Sequence, residues 1–213
     1  MTELSKKTLV FGIGTGRCGT TSLAKLLNSQ ENAFVGHELS PILPWEQNIN
    51  AIRNRILQLD HQIHAELIGD VGMYYLPYVD CLCKTNINDI FNLKFIAIKR
   101  DKVSTVNSLI KKLDNKYNPF QKHDGTKWEH YQWDKSFPKY DNRLTVFDAC
   151  CKYWDEYYDR VEKLVEEFPT NVKCFDLNDM NSKHKVDEML SFINIKNRNT
   201  ISNIHINKSV SFK

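Results

Sequence analysis

The stretch from Leu9 to Leu27, Leu-Val-Phe-Gly-Ile-Gly-Thr-Gly-Arg-Cys-Gly-Thr-Thr-Ser-Leu-Ala-Lys-Leu-Leu, constrains the fold more than any other part of the chain. Its first apolar run reads as a buried strand, which Gly14, Gly16 and Gly19 then interrupt. Thr20, Thr21 and Ser22 open a helix whose apolar positions Leu23, Leu26 and Leu27 recur at helical spacing. A strand that runs through a glycine loop straight into a helix turns backbone N–H groups inward, and the positive end of the helix dipole adds to them. Such a device binds anions. Arg17 adds a formal charge on a planar fork that matches phosphate or sulfate oxygens.

Three motifs compete for this loop. The Walker A loop needs Gly, four residues and then Gly-Lys-Ser/Thr. Gly14 and Gly19 have that spacing, but Thr20 stands where the Lys belongs, and no clear apolar strand ends in a Walker B Asp. The dinucleotide fingerprint fits literally as Gly14-x-Gly16-x-x-Gly19, and Glu38 follows a short apolar piece about where an acid would hold a ribose. That reading leaves Arg17 and the Thr20-Thr21 pair without a task. In the third, Arg17-Cys-Gly-Thr-Thr21 resembles the basic-residue, x, Gly-Thr-Thr core with which the sulfotransferase family holds the 5′-phosphosulfate of 3′-phosphoadenylyl sulfate (PAPS).

A second element favours the third reading. Leu93-Lys-Phe-Ile-Ala-Ile-Lys-Arg-Asp101 is another buried strand, and a helix over 102–112 follows with Val103, Val106 and Ile110 at helical spacing. Arg100 at the strand end and Ser108 on the helix resemble, in type and interval, the sulfotransferase pair that binds the 3′-phosphate of PAPS. A phosphate of nearly two charges suits a bidentate Arg and a hydroxyl near a helix start. Read without the resemblance, Arg100 pairs with Asp101 and Ser108 sits on a solvated face.

Alternating strands and helices after a glycine-rich first loop indicate an α/β domain with a mainly parallel central sheet flanked by helices, and the resemblance implies that it is similar to the P-loop NTPase architecture. It also implies PAPS as co-substrate, adenosine 3′,5′-bisphosphate (PAP) as product, a hydroxyl-bearing acceptor and no required metal. On it, Gly16, Cys18 and Gly19 contribute loop N–H groups, and Thr20, Thr21 and Ser22 their N–H groups and hydroxyls. Arg17 also steadies the departing bridging oxygen. The interval from Arg17 to Glu38 resembles that between the loop Arg and the catalytic Glu of protein-tyrosine sulfotransferases, so Glu38 is the first candidate base and His37 the second. Asp70, third, lies in Ile68-Gly-Asp-Val-Gly-Met-Tyr-Tyr75, a segment comparable to one where some carbohydrate sulfotransferases carry a catalytic Glu. Glu38 has two other readings, a cap on a helix near Pro41 or a salt-bridge partner of Arg17; Asp70 also has two, a cap of the next helix or a group that orients an acceptor hydroxyl. The chain departs from the cytosolic sulfotransferases in having Ser22 where they place a Trp on adenine, and in lacking their C-terminal Arg/Lys-x-Gly-rich loop. Lys208 is the candidate cation to take that loop's place.

The rest of the chain sets bounds. Its 213 residues, 41% apolar, suffice for one domain with a real core. Strands are expected near 8–13, 33–36, 66–70, 94–99 and 171–175. An amphipathic helix is expected over 153–168, with Trp154, Val161, Leu164, Val165 and Phe168 near one face, and a last helix around 186–193. The aromatic-rich stretch at about 114–142, from Tyr117 through Trp128 and Trp133 to Tyr140, reads as a lid or acceptor wall, or else as a self-packed cover of the core. A net charge of +3 argues for neither nucleic acid nor membrane. No apolar run nears ~18 residues and the N-terminus is polar, from which a cytoplasmic protein is expected. Six cysteines without zinc spacing read as reduced thiols, and seven histidines form no ligand set.

Overall fold

A computed structural model of the chain describes residues 6–113, 119–120, 133, 135–141 and 143–195. Among the described residues, five strands, β1 (Thr8–Ile13), β2 (Ala33–His37), β3 (Leu67–Val71), β4 (Asn92–Lys99) and β5 (Val172–Asp176), form one sheet. Their order is β2-β3-β1-β4-β5 and every pairing is parallel. Seven described helices connect and cover them: α1 (Thr20–Asn28), α2 (Ile49–Asp60), α3 (Val79–Cys83), α4 (Ile87–Ile90), α5 (Lys102–Leu113), α6 (Val146–Glu167) and α7 (Lys183–Phe192). Short 3₁₀ segments lie at Met73–Tyr78 and Leu177–Asn181.

Both faces of the sheet are covered, as a parallel sheet requires. Alternation divides each strand between two cores. Leu9, Phe11, Ile13, Leu93, Phe95 and Ala97 pack with α6, α2 and α5 on one side. Val10, Val71, Ile96, Ile98 and Phe175 pack with Leu23, Leu26 and Leu27 of α1 and with Val186, Met189 and Leu190 of α7 on the other. The expected strands all form, within two residues of the boundaries read from the sequence.

Three helices differ from expectation. α2 is not among the elements expected from the sequence: its buried positions are Ile52, Arg55 and Leu59, so a charge interrupts its apolar stripe. α6 begins at Val146, seven residues before the expected start, where the Thr145 hydroxyl accepts from Asp148 N. Its buried face is Ala149, Cys150, Tyr153, Tyr157, Tyr158, Val161 and Leu164; Trp154, Val165 and Phe168 lie at the margin. α5 buries Thr105, Val106 and Leu109, while Val103 in its first turn is exposed because the helix meets α6 one step around its axis.

Of the 114–142 stretch, the described aromatic residues cover the core. The Phe120 ring centroid lies 5.3 Å from those of Phe137 and Tyr153 and 5.4 Å from that of Tyr140. Trp133 stands 6.3 Å from Tyr74. Tyr117, Trp128, Tyr131 and Lys208 lie outside the described residues. Among the described residues no helix is long and apolar enough to cross a membrane, and no three His, Cys, Asp or Glu side chains gather as metal ligands.

Candidate active site

The strand order gives the sheet a switch point. After β1 the chain moves outward to β2 and returns to β3 beside β1, then crosses to β4 on the other side of β1. The carboxyl ends of β1 and β4 thus open onto one crevice, the place where sheets of this kind bind ligands. The glycine loop leaves the first of these strands and Arg100 follows the second.

The loop is shaped by close packing. Gly14 N–H donates to the Tyr157 hydroxyl at 2.8 Å, and that hydroxyl donates to the Met73 carbonyl at 3.0 Å. A Cβ at Gly14 would come within 2.9 Å of the Ile98 carbonyl, which already accepts from the Tyr158 hydroxyl at 2.7 Å. Gly16, Arg17 and Gly19 all have positive φ, at 77°, 58° and 106°. Glycine adopts that region freely, whereas Arg17 is held there at a cost. The turn carries the chain into α1, whose first-turn N–H groups have no partner within the helix.

The two anion-suited elements meet. Arg17 Nε donates to Ser108 Oγ at 3.0 Å, and Arg100 Nη1 donates to the Arg17 carbonyl at 2.9 Å. Asp101 serves α5 by accepting from Ser104 N at 2.8 Å. Trp154 Nε1 holds the Arg100 carbonyl at 3.1 Å. Cys18 is fully buried, and burial pushes its thiol up, so it serves the loop through its backbone. Ser22 is buried as well, on the inner side of α1.

β2 brings the next residues in. His37 Nε2 lies 3.1 Å from Thr20 Oγ1 and 3.4 Å from Thr21 Oγ1. Its Nδ1 is 3.8 Å from Glu38 Oε2. Burial lowers the imidazole below its ordinary range. Glu38 has a left-handed backbone, φ 57°, with its N–H donated to the Val71 carbonyl at 2.9 Å. Burial first, and then the Asp70 carboxylate, push its carboxyl up to about 7 against the opposing charges of Lys112 and Arg17. No helix starts near Pro41, where the chain is irregular until Ile49, so Glu38 caps none.

Asp70 is fully buried. Its Oδ2 accepts from Arg55 Nη1 and from the Tyr75 hydroxyl, each at 2.6 Å, and its carboxylate also receives Leu39 N at 3.2 Å. Arg55 Nη2 donates to the Leu39 and Pro41 carbonyls. The 3₁₀ segment that follows β3 has Gly72 at its N-terminal cap, so Asp70 caps no helix. The buried pair clamps the turn that issues from Glu38. Burial raises the Asp70 carboxyl, and the Tyr75 hydroxyl and Arg55 oppose that rise.

No protein-family description matches the chain, and no curated protein matches it by sequence. Among solved structures, the crystal structure of a sulfotransferase from Alicyclobacillus acidocaldarius aligns over 92% of this chain and 86% of that one, with a TM-score of 0.56 and 16% identity. The fold is that of a sulfotransferase.

Within this sulfotransferase fold, the loop residues, Arg100, Ser108, His37 and Glu38 share one edge of the sheet, while Asp70 lies beneath it. The sequence reading missed Arg55, Tyr157, Tyr158 and Lys112. The tyrosines had a signal in their spacing, since Tyr157 falls one turn after Tyr153 and one before Val161 on the buried face of α6. Arg55 and Lys112 had none, because nothing local marks a charge as the partner of a residue on another element.

Proposed function

We infer that the protein transfers a sulfuryl group from PAPS to a hydroxyl acceptor. The observation that carries this reading is the contact chain Arg100–Arg17–Ser108, which joins the loop to the second anion motif at the mouth of the parallel sheet. One ligand with two anionic ends, a 5′-phosphosulfate and a 3′-phosphate on one nucleoside, suits that pair. The residues fit such a ligand: loop N–H groups, the α1 N-terminus and Arg17 for the first end, Arg100 and Ser108 for the second.

In the reaction the acceptor oxygen bonds to sulfur as the bond from sulfur to the bridging oxygen breaks, and the acceptor proton leaves to a base. Glu38 is the base of choice. A carboxyl near pH 7 and 25% exposed is half ionised at working pH and open to a proton. Arg17 with the Thr20 and Thr21 hydroxyls meets the charge that grows on the departing oxygen. Asp70 is assigned to holding the Glu38 turn, since its oxygens are engaged by Arg55, Tyr75 and Leu39 N.

The strand order speaks against the dinucleotide reading. In dinucleotide-binding sheets the second strand lies beside the first, which brings the acid at its end to the ribose. Here β3 separates β1 from β2, so Glu38 sits one strand too far away. The test is consumption of PAPS, without added divalent metal, over a panel of sugar, alcohol and phenol acceptors. Release of PAP with at least one acceptor, lost in Glu38→Gln, is expected. Inertness toward PAPS with all acceptors, together with binding of NAD, would overturn the reading.

A further inference from the structure

His37 stands between two groups with opposite demands. Its Nε2 is within hydrogen-bond distance of the Thr20 hydroxyl and near that of Thr21, and its Nδ1 faces the Glu38 carboxylate. A neutral imidazole has one N–H and one lone pair. The tautomer that suits the ionised Glu38 carries its proton on Nδ1, and with no anion at the loop the nearer hydroxyl, that of Thr20 at 3.1 Å, then donates to the Nε2 lone pair. A hydroxyl has only one hydrogen. When an anion at the loop takes the hydrogens of Thr20 and Thr21, their oxygens retain only lone pairs for His37, and Nε2 must then carry a proton to keep those bonds. With Glu38 ionised, Nδ1 keeps its proton as well.

The geometry points to His37 as a proton-coupled sensor of the donor site: binding of the phosphosulfate or phosphate end at the loop draws one proton from solvent onto the imidazole. This rests on the donor-site reading and deepens it, because it gives His37 a task other than base. The charged and polar groups around the ring support the direction. Thr20 and Thr21 on α1 and Glu38 on its own strand end face the ring directly, while Arg17 in the loop, Asp70 on β3 and Lys112 on α5 act on the Glu38 carboxyl beside it. An anion entering among them favours the charged ring. Burial keeps the ring neutral beforehand, so there is a proton to gain. The resulting imidazolium places a positive charge one hydroxyl away from the leaving phosphate while Glu38 stays free to accept the acceptor proton. His37 is thereby a positioning and charge-balancing residue.

The test is calorimetric titration of the full chain with PAP at pH 7.5 in two buffers of different ionisation heat, on wild type and His37→Gln. Per PAP bound, wild type is expected to take up more protons than His37→Gln does, by about half a proton or more. Its affinity should fall as pH rises through 7–8, by up to about tenfold per unit, and that of His37→Gln should fall less steeply, by the share that titration of Glu38 alone contributes. Nitrogen-15 spectra of the wild type alone give a second reading that needs no substitution. One of the seven imidazoles should pass from the neutral to the doubly protonated pattern on saturation with PAP. PAP binding with the same proton count in both proteins, or with no imidazole changing, overturns this inference alone. Absence of PAP binding overturns the donor-site reading and this inference with it.

Discussion

Glu38 concentrates the costs of the site in one residue, with a left-handed backbone and a carboxyl raised from 4.5 to about 7. Below pH 4.5 it is neutral both folded and unfolded. Between pH 4.5 and 7 the unfolded chain ionises first, so native stability falls as pH rises, and above 7 the full penalty, on the order of 3 kcal/mol, applies. Glu38→Gln should therefore be more stable than wild type at pH 8 and no more stable at pH 4, as denaturant titration at both pH values would read. Its activity should drop about 10²- to 10⁴-fold, the usual range for a lost general base. In the wild type, the acceptor reaction should rise with pH around a midpoint near 7. Asp70→Asn removes the negative neighbour and leaves Arg55 uncompensated, which moves that midpoint downward and destabilises the fold by about 3 kcal/mol. An unchanged midpoint in a pH–rate profile of Asp70→Asn would contradict the electrostatic account of Glu38.

The strand–loop–helix from Thr8 to Asn28 was legible residue by residue, because its signals are local: glycines where the backbone turns back, hydroxyls at a helix start, leucines at helical spacing. The glycines nevertheless differ in kind. Gly14 is required by space, since an added Cβ meets the Ile98 carbonyl at 2.9 Å, whereas Gly16 is required only by φ 77°, with Met73 Sδ at 3.7 Å. Thermal unfolding should show Gly16→Ala losing about 1 kcal/mol and Gly14→Ala about 2 kcal/mol or more. Only the second should also distort the loop enough to lose the anion. Equal losses would mean that the neighbours of Gly14 give way to a Cβ and that the close approach there does not shape the loop. By contrast α2 escaped notice, because the middle one of its three buried positions is Arg55, whose partners Asp70 and Leu39 lie outside the helix. The clamp on Glu38 is a tertiary fact with no local trace.

At the scale of the whole molecule, the alternation of strands and helices with a glycine loop first was enough to expect a parallel sheet. The order of its strands was not legible. No single segment records that β3 inserts between β1 and β2, and that insertion is what separates the two readings of Gly14-x-Gly16-x-x-Gly19. The same order turns two motifs 83 residues apart, at Arg17 and Arg100, into neighbours joined by a hydrogen bond. The central claim is that these two motifs form one site for a ligand with two anionic ends. Isothermal titration of PAP, without added divalent metal, into wild type and Arg100→Ala, with NAD and Mg-ATP as controls, tests it most directly. The account predicts binding of PAP in preference to both controls and a loss on the order of 10- to 100-fold in Arg100→Ala, about 1.4–2.8 kcal/mol. PAP affinity unchanged by Arg100→Ala, or a preference for NAD or Mg-ATP, would contradict it.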